Sequence, residues 1–226
     1  LSAQETAYIV GFLMTDQLLH GHLAFRRRSG TERDYLLRLA VEGQKPQALF
    51  IGCSDSRVIP ELLTGANAGE LFVVRNIANH VPPSENADSS VGAAIDYAVG
   101  VLGVQDVIVC GHSGCGGVRA ALAGVDTLPA NFDNLREWVG NIVTAIEGAV
   151  AAHHAEHDLS DRAVEENVLT SVDNLMTYGA VAARVAAGSI ALHAWVYDLE
   201  SLELRVYDAD VNSWSDARAL VAPSSV

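Results

Sequence analysis

Ala48-Leu49-Phe50-Ile51-Gly52-Cys53-Ser54-Asp55-Ser56-Arg57 is an apolar run that ends in a thiol and turns polar at once. The apolar part has strand length and follows Pro46. A run without polar alternation reads as a strand buried on both faces, as in a parallel sheet. A second such run, Asp106-Val107-Ile108-Val109-Cys110-Gly111, feeds straight into His112-Ser113-Gly114-Cys115. Both runs end in residues able to do chemistry, and open α/β sheets place their sites at the ends of parallel strands.

Working outward, a short helix near Val58–Leu63 leads to another strand over Glu70–Val74. A polar loop with Pro82-Pro83 precedes a helix that Asp88 or Ser89 caps and that ends near Gly103. Residues 131–187 read as mostly helical, with a polar break near His157–Asp161. Ser189–Leu199 alternates as a strand, and Leu202–Tyr207 is placed to pair with it. Residues 1–28 read as a helix ending in Arg26-Arg27-Arg28, a solvated or interface-facing helix end. Thr31 with Asp34 reads as the cap of a helix running to Gly43. Strands alternating with helices imply right-handed βαβ crossovers. The expected fold is α/β, with a mostly parallel central β-sheet flanked by helices and an N-terminal helical arm. One domain is expected over 1–226: the arm over 1–43, a site-bearing core over 44–130, and helices and C-terminal strands over 131–226.

Half of the 226 residues are hydrophobic and the net charge is −14. Such an acidic surface argues against nucleic acid or anionic membrane as a partner, and any anion must be held by local residues. Three cysteines, an odd and small number, do not form a disulfide framework. A cytoplasmic or other reducing compartment is therefore expected. No apolar run approaches membrane-span length, and no signal-like segment opens the chain. The chain starts at Leu1, which leaves open a processed protein or a soluble domain cut from a longer one.

Cys53, His112 and Cys115 offer two soft thiolates and one imidazole, a set that suits catalytic zinc with its fourth position open. The competing reading makes each cysteine a small buried hydrophobe, and it is the reading for Cys110 inside its strand. No two cysteines have the spacing of a redox Cys-x-x-Cys pair. Asp55 and Arg57 are a second constellation. Beside a metal thiolate, a carboxylate can fill the fourth position or accept a hydrogen bond from metal-bound hydroxide. A bidentate guanidinium favours the second role by keeping the carboxylate ionised and fixing its angle. A structural ion pair at a strand end is the alternative. The glycine-rich turn from His112 to Gly117 opens a predicted helix whose free N–H groups could face thiolates or an oxyanion. It matches neither a P-loop nor a dinucleotide pattern.

These residues resemble the β-class carbonic anhydrases. Ile51–Arg57 is similar to the family's first zinc motif, and Cys110–Gly117 to its second. Gly69–Asn79 is similar to its central signature, and Glu166-Asn167-Val168 and His193–Asp198 to its C-terminal landmarks. The resemblance implies one zinc ion on Cys53, His112 and Cys115, and a catalytic dyad of Asp55 and Arg57. It implies substrate contacts from Gln44, Phe72, Ile77, Tyr97 and Gly117. In the family, residues at the positions of Gln44, Phe72 and Tyr97 reach the site across a dimer interface, so a homodimer or dimer of dimers is expected. The implied reaction is reversible hydration of carbon dioxide to bicarbonate and a proton by metal-bound hydroxide. Alternatives are hydrolysis of carbonyl sulfide or carbon disulfide on the same site, or a non-catalytic zinc domain that senses bicarbonate or aids assembly.

Zinc-activated water is best known from a carbonic anhydrase with three histidine ligands. Two thiolates donate more charge, so activity here is expected to rise into mildly alkaline pH. His80 is a candidate proton shuttle, against the reading of an exposed loop histidine. The sequence departs from the family in three places. Phe50 stands where one branch has a tryptophan that forms an inhibitory bicarbonate site with an arginine and a tyrosine, here Arg75 and Tyr197. That regulatory site is expected to be absent or impaired, and the pocket to resemble the plant-type branch. Ala194 replaces a landmark glycine, and the turn after Asp198 lacks Thr-Gly.

Overall fold

Four strands run parallel in the computed structural model: β1 (Ala48–Cys53), β2 (Leu71–Asn76), β3 (Asp106–His112) and β4 (Ala191–Tyr197). Two more, β5 (Leu204–Asp208) and β6 (Ser213–Asp216), add antiparallel at one edge. The order across the sheet is β2-β1-β3-β4-β5-β6. The structure describes residues 12–28, 30–86, 89–152 and 159–220. The expected helix over 1–11, the Asp88 cap and part of the polar break at His157–Asp161 lie outside them.

The helices are α1 (Phe12–Arg27), α2 (Thr31–Glu42), α3 (Pro60–Thr64), α4 (Ser89–Asp96), α5 (Gly116–Ala123), α6 (Asp133–Ala152), α7 (Leu159–Leu175), α8 (Gly179–Ala186) and α9 (Ala217–Leu220). The chain divides into two compact units, Leu1–Gln44 and Lys45–Val226. The first holds α1 and α2. The Thr31–Asp34 cap does not form. Gly30 is the N-cap at φ 106°, without a side-chain cap bond, and its carbonyl accepts from the Asp34 N–H at 3.2 Å. The glycine takes a backbone conformation that shifts the cap one residue earlier, so Thr31 already lies inside the helix.

The second unit holds the sheet. Every residue of β1 is buried, as its uninterrupted apolar run requires. Alternate residues serve opposite faces: Leu49, Ile51 and Cys53 join the main core, while Ala48 and Phe50 join a smaller cluster with Ile108 and Cys110. The helix expected to end near Gly103 does so: α4 gives way at Asp96 to a π-helical stretch, Tyr97–Leu102, which Gly103 closes at φ 71°. The strand β6 and helix α9 were not visible in the sequence pattern. Among the described residues, no helix is long and apolar enough to cross a membrane.

Helix α7 lies directly against β3. A Cβ on Gly111 would meet Val168 Cγ2 at 2.6 Å and Val164 Cγ1 at 3.0 Å. Gly111→Ala is therefore expected to overpack this contact and to lower stability by about 1–3 kcal/mol. Urea unfolding checks this, and an unchanged midpoint would mean that the helix yields freely.

Candidate active site

The register of β1 and β3 sets Gly52 opposite Cys110, which brings the C-terminal ends of the two strands side by side. Cys53 closes β1, His112 closes β3, and Cys115 is the N-cap of α5. Gly114, at φ 64°, turns the chain between them. One donor atom from each of Cys53, His112 and Cys115 lies within 4.8 Å of the others, and all three residues are buried. This is the one such group of three among the described residues.

The donors fit a tetrahedral ion. The two sulfurs stand 3.9 Å apart and form no disulfide. Two sulfurs each about 2.3 Å from a tetrahedral zinc would be about 3.8 Å apart. His112 Nδ1 lies 2.9 Å from the Ser113 carbonyl, to which it donates, so the proton sits there and the Nε2 lone pair is free. That Nε2 is buried and has no hydrogen-bond partner among the described residues. A buried polar atom left so costs stability, and a metal ion at the cluster removes the cost.

Backbone dipoles also face the sulfurs. Contact with the Cys115 thiol, then His112 and the N–H groups of Asp55 and Ala78, hold the Cys53 thiol well below its ordinary pKa against its burial. The same contact, with burial, pushes Cys115 up, although the N–H groups of Gly117 and Val118 oppose this. Cys110 is inert by comparison: full burial pushes its thiol up to about 12.

Asp55 stands outside the three-donor group. Arg57 Nε donates to Asp55 Oδ1 at 2.9 Å, Arg57 Nη2 to Oδ2 at 2.7 Å, and the Arg57 N–H to Oδ1 at 3.0 Å. These bonds hold the Asp55 carboxyl far below the usual carboxylate range. The loop that carries the pair is anchored from β2. Arg75 donates to the Cys53 carbonyl at 2.9 Å and to the Asp55 carbonyl at 2.6 Å.

A family model described as carbonic anhydrase matches residues 48–204. A carbonic anhydrase of Pseudomonas aeruginosa is 42% identical over 194 residues, covering 84% of this chain and 86% of its own. The chain belongs to the β-carbonic anhydrase family, and with it to the lyases. A carbonic anhydrase of Synechocystis is 36% identical over 212 residues, covering 92% of this chain and 74% of its own. The solved structure of the β-carbonic anhydrase CcaA superposes with a TM-score of 0.84 at 35% identity, covering 90% of this chain and 99% of that one. The α/β fold with a mostly parallel sheet is the fold of that family.

Within this β-carbonic anhydrase the pocket residues divide. Ile77 and Gly117 meet beside the cluster. A Cβ on Gly117 would strike Ile77 Cγ2 at 2.7 Å and Ala78 Cβ at 2.9 Å, so the glycine lets the two segments close. Phe72 and Tyr97 pack on each other, with ring centroids 5.8 Å apart. Phe72 pairs with Leu49, four residues before Cys53, roughly 13 Å along the strand. The chain does not bring this pair to its own cluster. Gln44 ends the first unit and is exposed. Phe50 is fully buried, with its ring edge against Trp195, and Arg75 is engaged with two carbonyls.

His80 corrects both expectations for it. It is 1% exposed, neither a surface loop histidine nor placed to pass protons to solvent. Its Nδ1 bonds Asn167 Oδ1 at 3.0 Å, its Nε2 has no partner among the described residues, and its ring meets Trp138 edge-on. The sequence reading missed both this burial and the role of Arg75. The available signal was polar residues at helical spacing, Asn167, Ser171 and Asn174, on the buried side of an amphipathic helix.

Burial holds the His80 imidazole at about 4, below its ordinary 6.5, although the Asn167 bond opposes this. Between pH 6.5 and about 4 the unfolded chain binds a proton that the folded chain refuses. The His80 contribution is therefore complete above pH 6.5 and falls as the pH drops toward 4, by up to about 3 kcal/mol. Urea unfolding across this range is expected to show a shallower pH slope for His80→Gln than for wild type. Equal slopes would show that His80 charges freely in the native state.

Proposed function

We propose that the chain catalyses reversible hydration of carbon dioxide to bicarbonate and a proton, with one zinc ion held by Cys53, His112 and Cys115. The observation that carries this reading is the buried three-donor cluster with an unpartnered His112 Nε2, set beside a carboxylate committed to a guanidinium. When bound, zinc supplies Lewis acidity and lowers the pKa of the water that attacks the substrate carbon.

The chain's own residues account for the rest. Asp55 is ionised, so it is an acceptor only: it holds a ligand that brings a proton to the hydrogen bond and repels one that does not. Arg57 fixes the angle of that acceptor and keeps it charged. Because both Asp55 oxygens are engaged by Arg57, a bound ion would be held by Cys53, His112 and Cys115, with its remaining position left for water and substrate. Ile77 and the bare backbone of Gly117 give a narrow apolar wall that suits a small, neutral, linear molecule. Phe72, Tyr97 and Gln44 serve the site of a second copy of the chain. Their separation from the cluster in this chain and the half-exposed Tyr97 ring support that assignment for the aromatic pair.

Stopped-flow hydration assays are the test. Zinc-replete protein is expected to turn over carbon dioxide, and chelation to abolish the activity. Asp55→Asn is expected to keep one zinc per chain and to lose at least about a hundredfold in turnover, the scale of a lost proton-handling group. Cys53→Ser is expected to lose zinc itself. Full activity in Asp55→Asn would remove the carboxylate from the reaction, and activity in metal-free protein would overturn the reading.

A further inference from the structure

The segment between β2 and α4 bends in an unusual way. Ala78 has φ 63° and Asn79 φ 49°, the left-handed region, and neither residue is a glycine. Each such residue costs of order 1 kcal/mol, so surrounding contacts must hold it. They come from one side of α7 and the turn that follows it. Asn167 Nδ2 donates to the Ala78 carbonyl at 2.8 Å, and Asn167 Oδ1 accepts from His80 Nδ1 at 3.0 Å. Ser171 Oγ accepts from the Val81 N–H at 3.1 Å, and Asn174 Nδ2 donates to the Val81 carbonyl at 2.8 Å. The Tyr178 hydroxyl donates to the Pro82 carbonyl at 2.9 Å. The helix residues are spaced by four and three, which puts them on one face.

The left-handed turn has a second neighbour. Ala78 packs against the open face of Gly117, two residues past Cys115. The turn is thus wedged between α7 and the first turn of α5, which Cys115 caps. Groups that orient metal ligands tune metal affinity, and losing one costs about 10–100-fold.

We propose that Asn167 is a positioning residue for the metal centre: by gripping the Ala78 carbonyl it holds the left-handed turn against Gly117 and so steadies the helix start that carries Cys115. The inference rests on the zinc reading above. Asn174 is the natural control, because it grips the same segment at Val81, three residues away from Ala78 and its contact with Gly117.

The experiment compares Asn167→Ala with Asn174→Ala as zinc-loaded proteins. Zinc transfer to a chromogenic chelator is followed, together with the near-ultraviolet thiolate-to-metal band after cobalt(II) substitution. Both variants are expected to lose stability. Only Asn167→Ala is expected to release zinc about tenfold faster and to shift the cobalt band. Wild-type release and band in Asn167→Ala, or equal changes in both variants, would overturn the inference. Asn167→Ser gives the same comparison if the alanine variant does not fold. Wild-type protein that binds no zinc would sink the metal reading itself, which keeps the two failures distinct.

Discussion

The pairing of β1 with β3 is the constraint on which the rest depends. In the order β2-β1-β3-β4 the chain leaves β1 toward one edge, returns across it, and continues toward the other. Loops that leave adjacent strand ends in opposite directions open a crevice between them, where ligands bind in open α/β sheets. Cys53 stands on one wall of this crevice, and His112 and Cys115 on the other. A slip of one residue would send Cys53 to the opposite face of the sheet, and a slip of two would carry it nearly 7 Å along the strand. Either would dissolve the three-donor cluster. The buried apolar residues of β1 and β3, Leu49, Ile51, Val107 and Val109, therefore fix the site as much as the sheet, because they hold the register.

A metal cluster inside an apolar core has its own demands. Two thiols and an imidazole are placed where water does not reach, and their charge must be met by fixed dipoles. The structure meets it with backbone groups: the N–H of Asp55 and Ala78 toward Cys53, and the first turn of α5 toward Cys115. Backbone donors do not reorient as side chains do, but they must be aimed by the fold. Arg75 aims one segment by holding two carbonyls, and the polar side of α7 holds the other against two left-handed residues.

Much of this was legible in sequence, for identifiable reasons. The β1 and β3 runs are unbroken and apolar, so their position and parallel character followed from composition alone, and the donors at their ends followed from position. Asp55 and Arg57 are two residues apart, and their pairing is local. What stayed hidden was long-range. His80 sits in a stretch rich in proline and asparagine that reads as a solvated loop, and helices far along the chain cover it, α6 through Trp138 and α7 through Asn167. Helix α7 reads as an ordinary amphipathic one until its buried side proves to contain amides and a hydroxyl. Phe72 and Tyr97 gave no local sign of being other than core. Gly30 displaced the expected cap because a backbone angle, not a side chain, decided it.

The Asp55–Arg57 pair shows why local legibility is not the same as local purpose. The Arg57 side chain is 60% exposed and that of Asp55 19%. Exposed ion pairs add little to folding stability, since water screens them and ordering two side chains costs entropy. Yet this pair has three hydrogen bonds and sits on a loop that Arg75 anchors from a neighbouring strand. Stability does not account for that much ordering. What the geometry does secure is the direction of the carboxylate, held by two side-chain bonds and one backbone bond from Arg57. An aspartate without these bonds would be ionised too, but free to turn toward the three donors. On the proposed reading, the guanidinium holds a possible ligand as a fixed acceptor, outside the group of three donors.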